Sequence, residues 1–181
     1  MDGSHTEDER RFDALWREHH RAVLAYALRR APDQARDLAA EVFVVAWRRL
    51  DQVPDDALPW LLAVARNKVL NQRRGARRWI AALARLANER ERHAPDPADA
   101  SDLSRLRAAL TALSERDREI IALTAWDGLS TGQAATVLGI TPQAAAVRLH
   151  RARGRLRLAL DPPDPASPGF TPAPAAKESP P

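Results

Sequence analysis

Two stretches of this 181-residue chain concentrate side chains that bind polyanions. The first runs from Ala57 to Asn88 without an Asp or Glu and carries Arg66, Lys68, Arg73, Arg74, Arg77, Arg78 and Arg85, with Asn67 and Asn71 among them. Trp60 precedes these cations and Trp79 follows them. Indoles beside cations suit stacking on exposed bases, although Trp60 would serve a helical core equally well. The second runs from Pro142 to Leu160, again without an acid, and carries Arg148, Arg151, Arg153, Arg155 and Arg157. A cluster of cations without countercharge has the form of an electrostatic footprint for nucleic acid. Within it Gln143 can read adenine bidentately and Arg151 can reach guanine or a phosphate. Arg153, Arg155 and Arg157 are placed for phosphate or solvent.

Covalent chemistry finds no comparable set. The histidines, His5, His19, His20, His93 and His150, are scattered, so no metal site is expected. Asp55 and Asp56 stand side by side on a turn rather than as a spaced acid pair, and no Ser/His/Asp set or Gly-rich phosphate loop is recognisable. With no cysteine there can be no disulfide, thiolate metal site or Cys nucleophile, which fits a reducing compartment. Catalysis and cofactors are therefore not expected.

The elements that must position the basic residues read as helices. Asp127-Gly128 breaks one helix, and Ser130 can cap a short second helix over 131–138 with Ala134, Ala135 and Leu138 inward. Gly139 ends it. Thr141 caps a third helix, with Pro142 at its first position, where the missing N–H costs nothing. On that helix Ala145, Leu149 and Ala152 have core spacing, which turns Gln143, Ala146, Val147, His150 and Arg151 outward. A short helix, a tight turn and a basic helix form a helix-turn-helix, suited to docking in a major groove. Upstream, Ser114 caps a helix from Glu115 to Trp126, and Ser114 and Asp117 have capping-box spacing with Asp in place of Glu.

Nearer the N-terminus, helical periodicity starts at Phe12 and runs through Leu15, Trp16, Val23, Tyr26 and Ala27 to a break at Ala31-Pro32-Asp33. A second helix presents Leu38, Ala39, Val42, Phe43, Ala46, Trp47 and Leu50 on one broad face. A third begins near Pro59, is expected to bury Trp60, Leu61, Val64, Ala65 and Val69, and continues through Arg78. The polar, acidic residues 1–9 are expected to be disordered and are unlike a signal peptide. The helical domains are 10–80 and 105–160. Between them, 81–104 reads as a flexible linker, charged, Pro-containing and poor in large apolar groups. The tail, 161–181, holds eight prolines and is expected to be disordered. Apolar residues make up 45% of the chain, enough for a core, but no apolar run approaches the roughly 20 residues that span a bilayer. The fold class is thus all-α, two small helical domains on a flexible linker, with a cytoplasmic location and no membrane insertion.

Several of these segments resemble the extracytoplasmic-function branch of the bacterial sigma-70 family. Residues 33–47, DQARDLAAEVFVVAW, are similar to the family pattern D-A-E-D-L-x-Q-E-x-F-x-x-x-W, with Arg36 in place of Glu and Ala40 in place of Gln. Residues 60–74, WLLAVARNKVLNQRR, are similar to W-L-x-x-I-A-R-N-x-x-x-D-x-x-R, with Asn71 in place of Asp. Residues 112–119 and the helix-turn-helix resemble the family's −35-reading domain, with Ala146 and Val147 where a basic residue and a hydroxyl are common. The resemblance implies that Asp33, Asp37, Leu38, Glu41, Phe43 and Trp47 bind core RNA polymerase. It assigns Trp60, Arg66, Asn67, Lys68, Asn71, Arg74, Arg77 and Arg78 to the −10 element. To the −35 element it assigns Thr141, Gln143, Val147, Arg148, His150, Arg151 and Arg155.

The expected function is therefore that of a sigma factor, directing promoter-specific initiation and assisting DNA melting. The implied partners are the polymerase β′ clamp and β flap and promoter DNA, with an anti-sigma factor left open. A stand-alone two-domain helix-turn-helix regulator is the alternative. It accounts for the second half of the chain but not for the acidic helix followed by a basic one in the first. An enzyme carrying an accessory DNA-binding domain lacks any catalytic constellation.

Overall fold

The computed structural model describes residues 2–84 and 102–161, with side chains for 6–74 and 105–161. Among the described residues the structure is wholly helical. Helices α1 (Asp2–Arg30), α2 (Ala35–Arg48) and α3 (Ala57–Ala84) form the first domain. Helices α4 (Asp102–Ala112), α5 (Glu115–Ala125), α6 (Thr131–Leu138) and α7 (Pro142–Leu160) form the second.

Helix α1 starts at Asp2, so the expectation of a disordered 1–9 is replaced by helix from residue 2. Low apolar content had suggested disorder. The first turns instead carry acids, which favour the positive end of a helix dipole, and same-face ion pairs follow, Arg10 to Glu7 at 3.0 Å and Arg17 to Asp13 at 3.5 Å. The helix stops at Arg30 because the residue before Pro32 is pushed out of helical geometry, and Ala31 sits at φ −151°. A single 3-10 turn, Pro32–Gln34, leads into α2. Both α1 and α2 pack on α3, with Val23, Tyr26, Val42, Phe43, Leu61 and Leu62 fully enclosed. Helix α3 extends past the expected end at 78 to Ala84. The proposed linker lies mainly in 85–101, and nearly all of the Pro-rich tail in 162–181, outside the described residues.

The second domain follows the local signals closely. Ser114 accepts from the Asp117 backbone N–H, but the Asp117 carboxylate does not complete a capping box. It is nearly buried and pairs with Arg155 instead. The full capping box is at α6: Ser130 accepts from the Gln133 N–H at 3.2 Å, and the Gln133 side chain accepts from the Ser130 N–H at 2.9 Å. Thr141 accepts from the Ala144 N–H, with Pro142 at the first helical position. Gly128 and Gly139 adopt φ of 68° and 65°, the left-handed region that helix C-termini require. Ala134, Ala135, Ala145, Leu149 and Ala152 are buried, and α7 packs on α4, α5 and α6.

The two domains are docked. Helix α3 packs along α6, and one apolar cluster runs from Leu61 and Leu62 of the first domain to Ile120, Leu123 and Ala135 of the second. Gln133 also donates to Asp56 across the junction at 3.0 Å, so one side chain caps α6 and ties it to the turn before α3.

A Cβ added at Gly139 would meet nothing within 4 Å, so the cost of an alanine there is purely backbone. Gly139→Ala is expected to destabilise the chain by roughly 1–2 kcal/mol. Urea unfolding followed by circular dichroism measures this, and an unchanged midpoint would contradict the assigned turn.

Candidate nucleic-acid interface

Helix α7 presents the outward stripe expected of it. Gln143, Val147, His150 and Arg151 are exposed, while Ala145, Leu149 and Ala152 on the opposite face are buried. Thr141 is held at the N-cap, at the end of the helix that enters a groove. Arg148 is half-buried and Arg151 and Arg153 are exposed, and none of the three has an ion-pair partner among the described residues. Arg155 differs. Its guanidinium pairs with Asp117 of α5, so a residue expected to serve phosphate also staples α7 to its own domain.

On α3, Asn67, Asn71 and Arg74 are exposed and lie on one face. Arg74 donates to the Asn71 Oδ1 at 3.0 Å, which orients the amide. Trp60 is half-buried and packs against the core. Arg66 is not free either. It makes a bidentate pair with Glu119 of α5, at 2.8 and 3.1 Å. Burial works against the Arg66 charge, but the hydrogen bonds and charge of Glu119 outweigh it and hold the pKa above the ordinary guanidinium value. Lys68 pairs with Glu41 at 2.6 Å, tying α3 to α2. Arg77 and Arg78 lie on α3, beyond the residues whose side chains are described.

The α2 residues divide by burial. Asp33, Asp37 and Glu41 are exposed, and Asp37 and Glu41, four apart, share one face. Leu38 and Phe43 are 1% exposed, so neither is a contact surface. Leu38 packs with Ala27, Ala35 and Val69, and Phe43 packs against Trp16 in a tilted arrangement with ring centroids 4.6 Å apart. What remains outside is an apolar patch of Trp16, Val44 and Trp47, with Trp47 set edge-on to Phe12. Periodicity assigned Trp16 to the core and passed over Val44; their exposure beside Trp47 is a tertiary outcome. Exposed aromatics rimmed by acids suit a protein partner with a basic face.

Sequence reasoning missed the acids that join the domains. Asp127 had been read only as part of a helix break. Its side chain is nearly buried and pairs with Arg29 and with Arg30, the latter at 3.7 Å. Arg73 pairs with Glu115 at 2.7 Å. Together with Arg66–Glu119, these contacts run along the α1/α3–α5 junction. The only advance signal was the lack of acids from 57 to 88, which leaves those cations to be answered from elsewhere in the chain.

Two helical domains, each with a basic helix whose polar stripe is exposed, define a DNA-reading protein of helix-turn-helix type. Family models match in the same order: Sigma-70 region 2 over residues 15–79 and Sigma-70 region 4 over 103–156. A Mycobacterium tuberculosis protein described as ECF RNA polymerase sigma factor SigL is 37% identical over 154 residues, covering 81% of this chain and 87% of that protein. RNA polymerase sigma factor CnrH of Cupriavidus metallidurans is 32% identical over 138 residues, 69% of this chain and 72% of that one. Among solved structures, the sigma factor RpoE in complex with the anti-sigma factor NepR from Bartonella quintana matches with a TM-score of 0.62 at 27% identity, over 84% of this chain and 98% of that chain. CnrH in complex with the cytosolic domain of CnrY matches at 0.55 and 28%, over 86% and 91%. The chain belongs to the sigma-70 family of RNA polymerase sigma factors, in its extracytoplasmic-function branch, and its function is to direct transcription from promoters. The stand-alone regulator is not favoured, because the region 2 match covers the half that it leaves unexplained.

The junction should respond to charge. Glu119→Gln combined with Asp127→Asn is expected to separate the domains. The cysteine-free chain can be labelled at Gln52→Cys and Leu158→Cys, both exposed, and energy transfer between the dyes should fall in the double variant. Raising salt to 1 M, which shortens the Debye length from about 10 to about 3 Å, should move the unsubstituted chain the same way. Transfer efficiency that ignores both changes would contradict the assigned junction.

Proposed function

We propose that the three exposed surfaces divide the work of initiation. The α2 face, with Asp37, Glu41 and Trp47 joined by Trp16 and Val44, docks on the β′ clamp of core polymerase. The α3 face, with Asn67, Asn71 and Arg74, holds unpaired −10 bases. Melting then needs no covalent step, because binding of an extruded base offsets an unstacking cost of a few kcal/mol. The α7 stripe of Gln143, Val147, His150 and Arg151 reads the −35 major groove, with the second domain near the β flap. The observation that carries this reading is that the polar residues of all three helices are exposed while the opposite faces are buried.

In the docked form the chain is not ready to read both elements. The −10 and −35 positions lie about 25 base pairs apart, roughly 85 Å of duplex at 3.4 Å per pair. Here α3 touches α6, and α6 touches α7. Arg66, matched to the −10 segment, is held by Glu119. Promoter binding therefore requires the domains to part, and core polymerase supplies the separate docking sites that hold them apart. Relatives solved in complex with the anti-sigma factor NepR or with the cytosolic domain of CnrY support an anti-sigma partner here too. A cytoplasmic site of action follows from this role, and no described helix is long and apolar enough to cross a membrane.

Asp37→Arg with Glu41→Arg is expected to abolish co-purification with core polymerase at unchanged helicity. Retention of core enzyme by the folded double variant would overturn the α2 assignment. In transcription from panels of promoter variants, Asn71→Ala should change the preferred −10 base, whereas Arg74→Ala should weaken all promoters alike. Arg151→Ala should relax preference at one or two −35 positions, about 1–3 kcal/mol of discrimination. Identical preferences in variant and parent would remove these residues from base reading.

A further inference from the structure

The docked domains enclose a cleft of about 500 Å³, lined from one side by Tyr26, Arg30, Arg66 and Arg73 and from the other by Arg116, Arg118, Glu119 and Trp126. Small-molecule sites span about 300–1,000 Å³, so the cleft has room for a nucleotide. Its lining holds six guanidinium groups against two carboxylates. Those two, Glu115 and Glu119, are already engaged by Arg73 and Arg66. Arg116 has no ion-pair partner among the described residues.

Two groups of the first domain in this cleft lack a good acceptor. Tyr26 is 0% exposed, and its hydroxyl has no hydrogen-bond partner among the described residues. Burial pushes its pKa up to about 12, so the phenol remains a donor at neutral pH. The Arg30 guanidinium lies over the Tyr26 ring, 3.6 Å from its centroid. Among the described residues the nearest carboxylate oxygen is Asp127 Oδ2, itself buried without a hydrogen-bond partner, at 3.7 Å and beyond hydrogen-bond reach, and the Glu119 charge also acts on Arg30. Burial depresses the Arg30 pKa, as expected for a cation that is desolvated before it is fully answered. An enclosed donor and an enclosed cation side by side are both satisfied by one anionic acceptor. At the rim, the Trp126 indole is 58% exposed, a large apolar face left open beside a basic cleft.

We propose that the interdomain cleft binds a small phosphorylated ligand of nucleotide type, with its phosphate held by Tyr26, Arg30 and Arg116 and its base stacked on Trp126. Because the walls come from both domains, the site exists only while they are docked. The ligand therefore favours the closed chain and opposes promoter reading. The proposal rests on the docked arrangement and not on which residues read the promoter elements.

The probes are ATP, inorganic pyrophosphate and adenosine, titrated into the full chain by calorimetry in magnesium-free buffer at constant ionic strength. ATP should bind at micromolar concentration, pyrophosphate more weakly, and adenosine not measurably. Tyr26→Phe removes only an unpartnered hydroxyl, so the unliganded Tm should hold or rise. ATP affinity should nevertheless fall at least about tenfold, the scale of one hydrogen bond to a charged group. Trp126→Ala should weaken ATP about tenfold, as loss of one stacked base does, and leave pyrophosphate unchanged. In the chain labelled at positions 52 and 158, ATP should raise energy transfer. The proposal is overturned by absence of ATP binding at millimolar concentration, by equal ATP affinity in Tyr26→Phe and parent, or by energy transfer that falls on ATP addition. Promoter-directed transcription by the same preparations with core polymerase and no added variant reports separately on the sigma-factor reading, so the two can fail independently.

Discussion

The cations of this chain must find anions, and there are two places to find them. Arg29, Arg30, Arg66 and Arg73 face a junction where water is partly excluded, and a guanidinium there is costly until it is paired. Within the docked chain Asp127, Glu119 and Glu115 supply the charge. Under the proposed reading of the −10 element, promoter DNA would answer Arg66 instead. For Arg66 the two sets of partners compete, since the bidentate pair with Glu119 takes Nε and Nη2 on one edge of its guanidinium. Under that reading, binding DNA is also an act of undocking.

Apolar packing sets how closely the charges can meet. Ala134 and Ala135 on α6 are small enough for helices to approach it closely, and both are buried in the cluster that spans the two domains. The contact of α6 with α3 then carries Gln133 within reach of Asp56 and brings α5 alongside the arginines of α1 and α3. A broader side chain on the α6 face would hold these elements apart. The ion pairs would then span a wetter gap, where each contributes little.

Burial also sorts residues that one motif groups together. Leu38 and Phe43 share the α2 motif with Asp37, Glu41 and Trp47, yet the first two are core and the rest are surface. The likeness in sequence therefore marks a helix as much as an interface. Its buried members fix how the helix is rotated, and that rotation decides which acids and which indole a partner meets. Asp117 behaves similarly in the second domain. Its backbone serves the α5 cap while its carboxylate reaches across to α7 and immobilises Arg155.

Local signals in the sequence determined the helices and most of their ends. Pro32, Ser114, Ser130, Gly139, Thr141 and Pro142 act on neighbouring backbone groups, so their effects are legible without knowing the fold. The buried stripe of Ala145, Leu149 and Ala152 follows from helical period alone, and with it the outward face of Gln143, Val147, His150 and Arg151. The N-terminal turns of α1 escaped because i, i+3 and i, i+4 charge pairs can sustain a helix with little apolar content. What only the tertiary structure decided is which cations are free. Arg66 and Arg151 look alike in sequence, but one is claimed by an acid 53 residues away and the other has no ion-pair partner among the described residues. The same holds for Tyr26, whose hydroxyl is enclosed, and for Trp126, whose ring is left at a cleft rim. These outcomes depend on the docking of two domains, and no local residue pattern encodes which surfaces of two separate helical units will meet.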